Sequence, residues 1–134
     1  MPARRFTAEV LEAIRERSYV KVRAGLKPHE FRAIWVVVVG GRVFVRSWSV
    51  KPDGWYRTFL KEPCGALLVG SREVPVRAVQ PRSERLKDAV SRAYLEKYNS
   101  PASLKYARGL GRAKSTATTT ELVPRPTRPL RRAP

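Results

Sequence analysis

The sequence predicts an α+β domain, a small antiparallel β-barrel with flanking helices, and three observations predict it. Short β-branched runs bounded by glycine turns recur between residues 19 and 79, close enough together for hairpins and too close for helical crossovers. One run, Ile34 to Val39 (IWVVVV), is apolar throughout and so needs cover on both faces. Two amphipathic helical patterns flank the strands, one near the start and one after Ser83. With this few residues, a sheet holding one doubly covered strand is most economically closed into a barrel.

The elements follow in order. Thr7 caps a first helix, with Glu9 in its first turn and Phe6 placed to staple against Leu11. Its narrow apolar face, Val10, Leu11 and Ile14, predicts a surface helix. Tyr19 to Arg23 alternates as a half-exposed strand, and Gly25 to Glu30 is a loop. Gly40-Gly41 links Ile34–Val39 to a return strand, Arg42 to Trp48, through a tight hairpin. Lys51-Pro52-Asp53-Gly54 turns the chain into a short helical or irregular piece, Trp55 to Leu60. Ala66–Val69 and Val74–Val79 form a second hairpin, whose Pro75 predicts an edge position or a bulge. Ser83 caps a long helix, Glu84 to Tyr98, with Leu86, Ala89, Val90, Ala93, Tyr94 and Lys97 on one face. A basic segment, Ser103 to Lys114, precedes a threonine-rich strand, Thr116 to Val123. The split-off tail, residues 124–134, is rich in proline and arginine and cannot build a core, so the folded domain is 1–123.

At 134 residues the chain is one domain's worth. Its 28 Lys plus Arg against 11 Asp plus Glu, a formal +17, makes nucleic acid, acidic cofactors and membrane surfaces candidate partners. A GC-rich coding sequence produces the same balance, so charge alone does not choose among them. One cysteine, Cys64, excludes an internal disulfide and a cysteine-rich metal site. No apolar run is long enough to span a bilayer and none at the start reads as a signal peptide, so a cytoplasmic protein is expected. One histidine, His29, in a proline-bearing loop, leaves no triad or metal cluster to build. Any redox or group-transfer chemistry would then fall to a bound cofactor.

Residues 42–48 are the most informative strand. Val43, Val45 and Ser47 point one way, and Arg42, Phe44, Arg46 and Trp48 the other. Small β-branched residues suit a barrel interior; aromatics interleaved with arginines suit a binding face. With Trp55-Tyr56-Arg57 close behind, the stretch offers two arginines, a hydroxyl and flat apolar rings. Bidentate phosphate donors beside such rings fit a phosphorylated ring system or a stacked nucleotide base. The same rings would also serve simply to seal the barrel.

The order Ile34-Trp35-Val36-Val37-Val38, Val43-Phe44-Val45-Arg46-Ser47, Trp55-Tyr56-Arg57 resembles a bacterial family of unknown function, numbered twenty-two fifty-five. Ala93-Tyr94, Lys97-Tyr98 and Thr118 to Pro124 continue the resemblance. That family is similar to the FMN-binding split-barrel superfamily, with deazaflavin-using nitroreductase-like relatives that are usually homodimers. The resemblance implies a split barrel with its ligand cleft outside the barrel, near a dimer interface, and FMN or a deazaflavin as cofactor. It implies Arg46, Ser47 and Arg57 at the phosphate, and Trp48, Trp55 and Tyr56 flanking the ring. Lys114, Ser115 and Thr116 would add donors from the C-terminal segment. The chain carries Arg57-Thr58 where those relatives tend to show His-Asn, and Val50 where the family often has glycine.

Four expectations follow. The chain binds a phosphorylated flavin-type small molecule and is a candidate reductase; the alternatives are a basic nucleic-acid-binding module and a cofactor-free barrel for a small acidic ligand. It forms a homodimer, because the IWVVVV strand needs more cover than one helix supplies. The tail adds affinity for polyanions and is dispensable for folding. Arg46 serves the ligand and not the fold.

Overall fold

The computed structural model describes residues 5–25, 31–48 and 54–125. In chain order these form α1 (Ala8–Glu16), β1 (Val20–Ala24), β2 (Arg32–Ile34), β3 (Val36–Val39), β4 (Arg42–Val45), α2 (Trp55–Lys61), β5 (Cys64–Val69), β6 (Arg72–Val79), α3 (Glu84–Lys97), α4 (Pro101–Gly109), α5 (Ala113–Thr116) and β7 (Thr120–Pro124). His29, Val50, Lys51-Pro52-Asp53 and the tail from Pro126 lie outside the described residues. Among the described residues no helix is long and apolar enough to cross a membrane.

The seven strands pair antiparallel in the order β2-β1-β5-β6-β7-β4-β3. The two edges, β2 and β3, are consecutive and separated by Trp35 alone. A sheet whose edges are joined through one residue cannot lie flat. It curls until they approach, giving a nearly closed barrel.

Alternation fills the interior. Val20, Val22, Val36, Val43, Val45, Leu67, Val76 and Leu122 form the barrel core, and α1 adds Phe6, Val10 and Ile14 to it. The helix therefore buries its apolar face in the barrel while its other face stays exposed. A second core lies outside, where Val37 and Phe44 pack under Val90, Tyr94, Tyr98, Ala107 and Leu110 of the α3–α4 region. The expected caps form: Thr7 Oγ1 accepts from Val10 N–H at 3.2 Å and Ser83 Oγ from Leu86 N–H at 3.1 Å. Gly40 and Gly41 take φ of 58° and 76°, the left-handed conformation a two-residue hairpin needs.

Several expectations need correction. IWVVVV is two strands broken at Trp35, and the chain covers both of its faces itself, Val36 from the barrel core and Val37 from the helices. The reason given for a second subunit therefore falls away. Residues 103–114 are largely helical, because Ser100 caps α4 and Pro101 opens it. Pro75 lies in an interior strand, yet opposite Arg125, just past the end of β7 at Pro124. Its missing N–H therefore removes only the return bond of this last pair, at the sheet's frayed end. Pro124 belongs to β7, one residue past the strand end expected at Val123, and the Arg125 N–H donates to the Pro75 carbonyl.

Candidate functional site at the split

β3 and β4 pair from Val39↔Arg42 to Val36↔Val45. Continuing that register would set Trp35 opposite Arg46 and Ala33 opposite Trp48. Instead β2 swings away to pair with β1, with Val20 opposite Ile34 and Val22 opposite Arg32. The strands part, and between them opens a cleft of about 640 Å³. Arg32, Ala33, Ile34 and Trp35 form one wall and Arg46, Ser47 and Trp48 the other, with Tyr19, Gly54, Trp55 and Leu110 completing it.

Parting two strands strands backbone polar groups, and α3 supplies the partners. The Tyr94 hydroxyl donates to the Trp35 carbonyl at 3.3 Å, and Lys97 Nζ to the Val36 carbonyl at 2.8 Å. Tyr98 Oη accepts from Val36 N–H at 3.0 Å and donates to the Ser18 carbonyl at 2.7 Å. Trp35 lies flat on Tyr98, centroids 3.9 Å apart and planes within 1°. Lys97 also reaches the Ile14 carbonyl at 3.1 Å, in the last turn of α1. Burial lowers the Lys97 ammonium to about 8 and raises the Tyr98 phenol to about 12. Tyr94, fully buried, is raised as well, chiefly by desolvation. The Tyr94, Lys97 and Tyr98 positions thus latch the corner of the barrel.

On the opposite wall, Arg46 is only 3% exposed. Its Nε donates to Thr119 Oγ1, Nη1 to Ser91 Oγ and the Leu110 carbonyl, and Nη2 to the Lys87 carbonyl, all at 2.8 Å. Strand parity holds, since Phe44 and Arg46 both face the outer helices. The guanidinium, however, is committed to the protein. Desolvation lowers its pKa, with Tyr94 and Asp88 opposing, and none of its hydrogen-bond acceptors is a carboxylate. The expectation that Arg46 has no part in the fold needs correction: four hydrogen bonds tie the end of β4 to α3, to Leu110 just past α4 and to the threonine segment. What it adds to the cleft is a positive charge in the wall, little screened by water.

The structure brings Arg46, Ser47, Trp48 and Trp55 together in the cleft. Tyr56, Arg57, Lys114, Ser115 and Thr116 are not among its described lining residues. Tyr56 ties α2 to the Ala117 carbonyl at 3.3 Å, and Arg57 is exposed on α2. Ser115 is buried, Lys114 is exposed, and the Thr116 hydroxyl donates to the Gly111 carbonyl. The threonines beyond them hold the strand end: Thr118 Oγ1 accepts from Ser47 N–H at 2.8 Å and donates to the Ser115 carbonyl.

Tyr19, Arg32 and Trp35 were missed. Trp35 was hidden in an apolar run, although an indole among valines is a poor fit to a small barrel's interior. Arg32 carried no sequence signal, because its place follows from pairing with β1. Its side chain makes no hydrogen bond or ion pair with the described residues.

A nearly closed seven-stranded barrel, opened along one seam into a cleft, defines a split-barrel protein. The chain belongs to the family described as "Uncharacterized protein conserved in bacteria (DUF2255)", which matches residues 10–122. No curated protein matches it. Among solved structures it is similar to the conserved hypothetical protein Rv2991 from Mycobacterium tuberculosis, with a TM-score of 0.58 at 12% identity over 91% of this chain and 81% of that one. It is equally similar to a provisionally assigned pyridoxamine 5′-phosphate oxidase from Listeria innocua, with a TM-score of 0.58 at 9% identity over 90% and 92% of the two chains. An F420 reductase aligns with a TM-score of 0.47 at 20% identity over 87% and 93%. At these identities the likeness is one of fold.

Proposed function

We propose that the split binds a phosphorylated flavin-type cofactor, FMN or a deazaflavin. One observation carries this reading: all three tryptophans of the chain line the one cleft, beside two arginines and with no carboxylate among its described lining residues. Indole faces suit a flat ring system. Among the described lining residues, Arg32 on the edge strand is the exposed cation for a phosphate, and Arg46 supports it with charge from within the wall. The cleft's volume is in the range of small-molecule sites. The Listeria neighbour supports the class by fold, its assignment naming a phosphorylated ring compound as substrate. A flavin, once bound, supplies hydride and electron transfer, which makes the protein a candidate reductase. The chain's own residues hold the ring and the phosphate.

Titrating the purified protein with FMN tests this, because all three tryptophans line the cleft. Saturable, one-to-one quenching of tryptophan emission is expected, and deazaflavin should be compared in the same way. Emission unchanged by either compound would sink the reading. Nucleic acid retained through purification and released by salt, with no flavin binding, would favour a basic nucleic-acid module instead.

A further inference from the structure

Gly109 closes α4 without any conformational need for glycine. The described glycines with positive φ are Gly25, Gly40, Gly41 and Gly70, and Gly109 is not among them. A helical glycine of ordinary φ weakens its helix relative to alanine, so some other constraint must act there. That constraint is Trp48. A Cβ on Gly109 would lie 2.5 Å from Cη2 and 2.8 Å from Cζ3 of the indole.

The surroundings make a seat. Trp48 is 55% exposed, so its position is not enforced by burial. One contact is Gly109 and another the ring of Tyr106, perpendicular to the indole with centroids 6.1 Å apart at 88°. Arg46, two residues earlier, holds the adjoining Leu110 carbonyl at 2.8 Å. The strand end thus grips residues 109–110 twice, by the guanidinium and by the indole.

We infer that Gly109 is a positioning residue: it seats Trp48 as a wall of the cleft and so sets how flat a ring the site admits. This rests on the proposed flavin site. A methyl at 109 meets the far end of an exposed side chain, so the indole turns aside and the backbone stays where it is. Loss of the seat should therefore leave the fold intact.

Gly109→Ala is the test, read first without ligand. The expected melting temperature is unchanged or higher, since alanine favours the helix. Trp48 emission should shift and its quenching by iodide rise. FMN affinity should fall about five- to tenfold, the worth of one aromatic face, while inorganic phosphate competes for the site as before. In a Trp48→Phe background, which lacks the clashing atoms, Gly109→Ala should have no effect. Unchanged emission and iodide access in Gly109→Ala would overturn the inference, as would equal destabilisation in both backgrounds, which marks a purely structural glycine. If FMN binds neither wild type nor variant, the flavin reading falls, and the ligand-free measurements still decide the seat.

Discussion

The two sides of the barrel are held by different means. On the β5–β6 side, six residue pairs run from Cys64↔Arg77 to Val69↔Arg72 around a two-residue turn in which Gly70 takes a φ of 64°. Backbone pairs with nearby backbone, and the register follows from the turn. On the split side, backbone groups at Trp35 and Val36, and the strand end at Arg46 and Ser47, are completed by the α3 region, by the Leu110 carbonyl just past α4 and by side chains of the segment before β7. Those partners lie 41 to 73 residues away in sequence. A ladder made locally leaves no opening; an opening must be propped from elsewhere. The cleft exists where the sheet stops satisfying itself.

Breaking a prop on the split side should therefore cost far more than a change on the ladder side. The largest effect belongs to Arg46→Gln. It strips the guanidinium from four acceptors, and the ligand-free protein should lose about 3 kcal/mol or more, read from the denaturant midpoint at constant slope. Arg32→Gln is its counterpart across the cleft. Stability should hold while FMN affinity drops by about 1.5–3 kcal/mol, the range for a charge-assisted bond. An equal loss of binding in a variant that also unfolds would place Arg32 with Arg46 and erase the distinction.

Tyr98→Phe leaves the buried Val36 N–H without its acceptor and should cost about 1–2 kcal/mol, with emission of the stacked Trp35 altered. Lys97 adds a pH signature. Its ammonium titrates near 8 in the folded chain against 10.5 unfolded, so between these values the unfolded state binds more protons. Stability should rise with pH across that window, and Lys97→Met should flatten the rise. Above about 10 the buried tyrosines act oppositely. Tyr98 is raised to about 12, the unfolded chain gives up that proton first, and stability falls. The smallest effect is Arg72→Gln, at the exposed start of β6, which should stay within about 0.5 kcal/mol and leave binding alone.

What was legible in the sequence was whatever depends on neighbours along the chain. Parity sorted Val43 and Val45 from Phe44 and Arg46, because side chains alternate wherever a strand forms. Gly40-Gly41 announced a hairpin, and Thr7 and Ser83 announced helix starts, because capping and turning are local chemistry. Trp48 and Trp55 were suggested for the cleft by the family resemblance, while their own neighbours left sealing the barrel equally open. The break at Trp35 was not. A run of IWVVVV has every propensity for one strand, and only the competing pairing of β2 with β1 divides it. Arg46 shows the limit most plainly. Its side of the strand could be read from its neighbours, yet whether its guanidinium met a ligand or the protein depended on Ser91, Leu110 and Thr119 arriving from far along the chain. A strand's own residues determine which face a side chain takes; only tertiary packing decides what waits there.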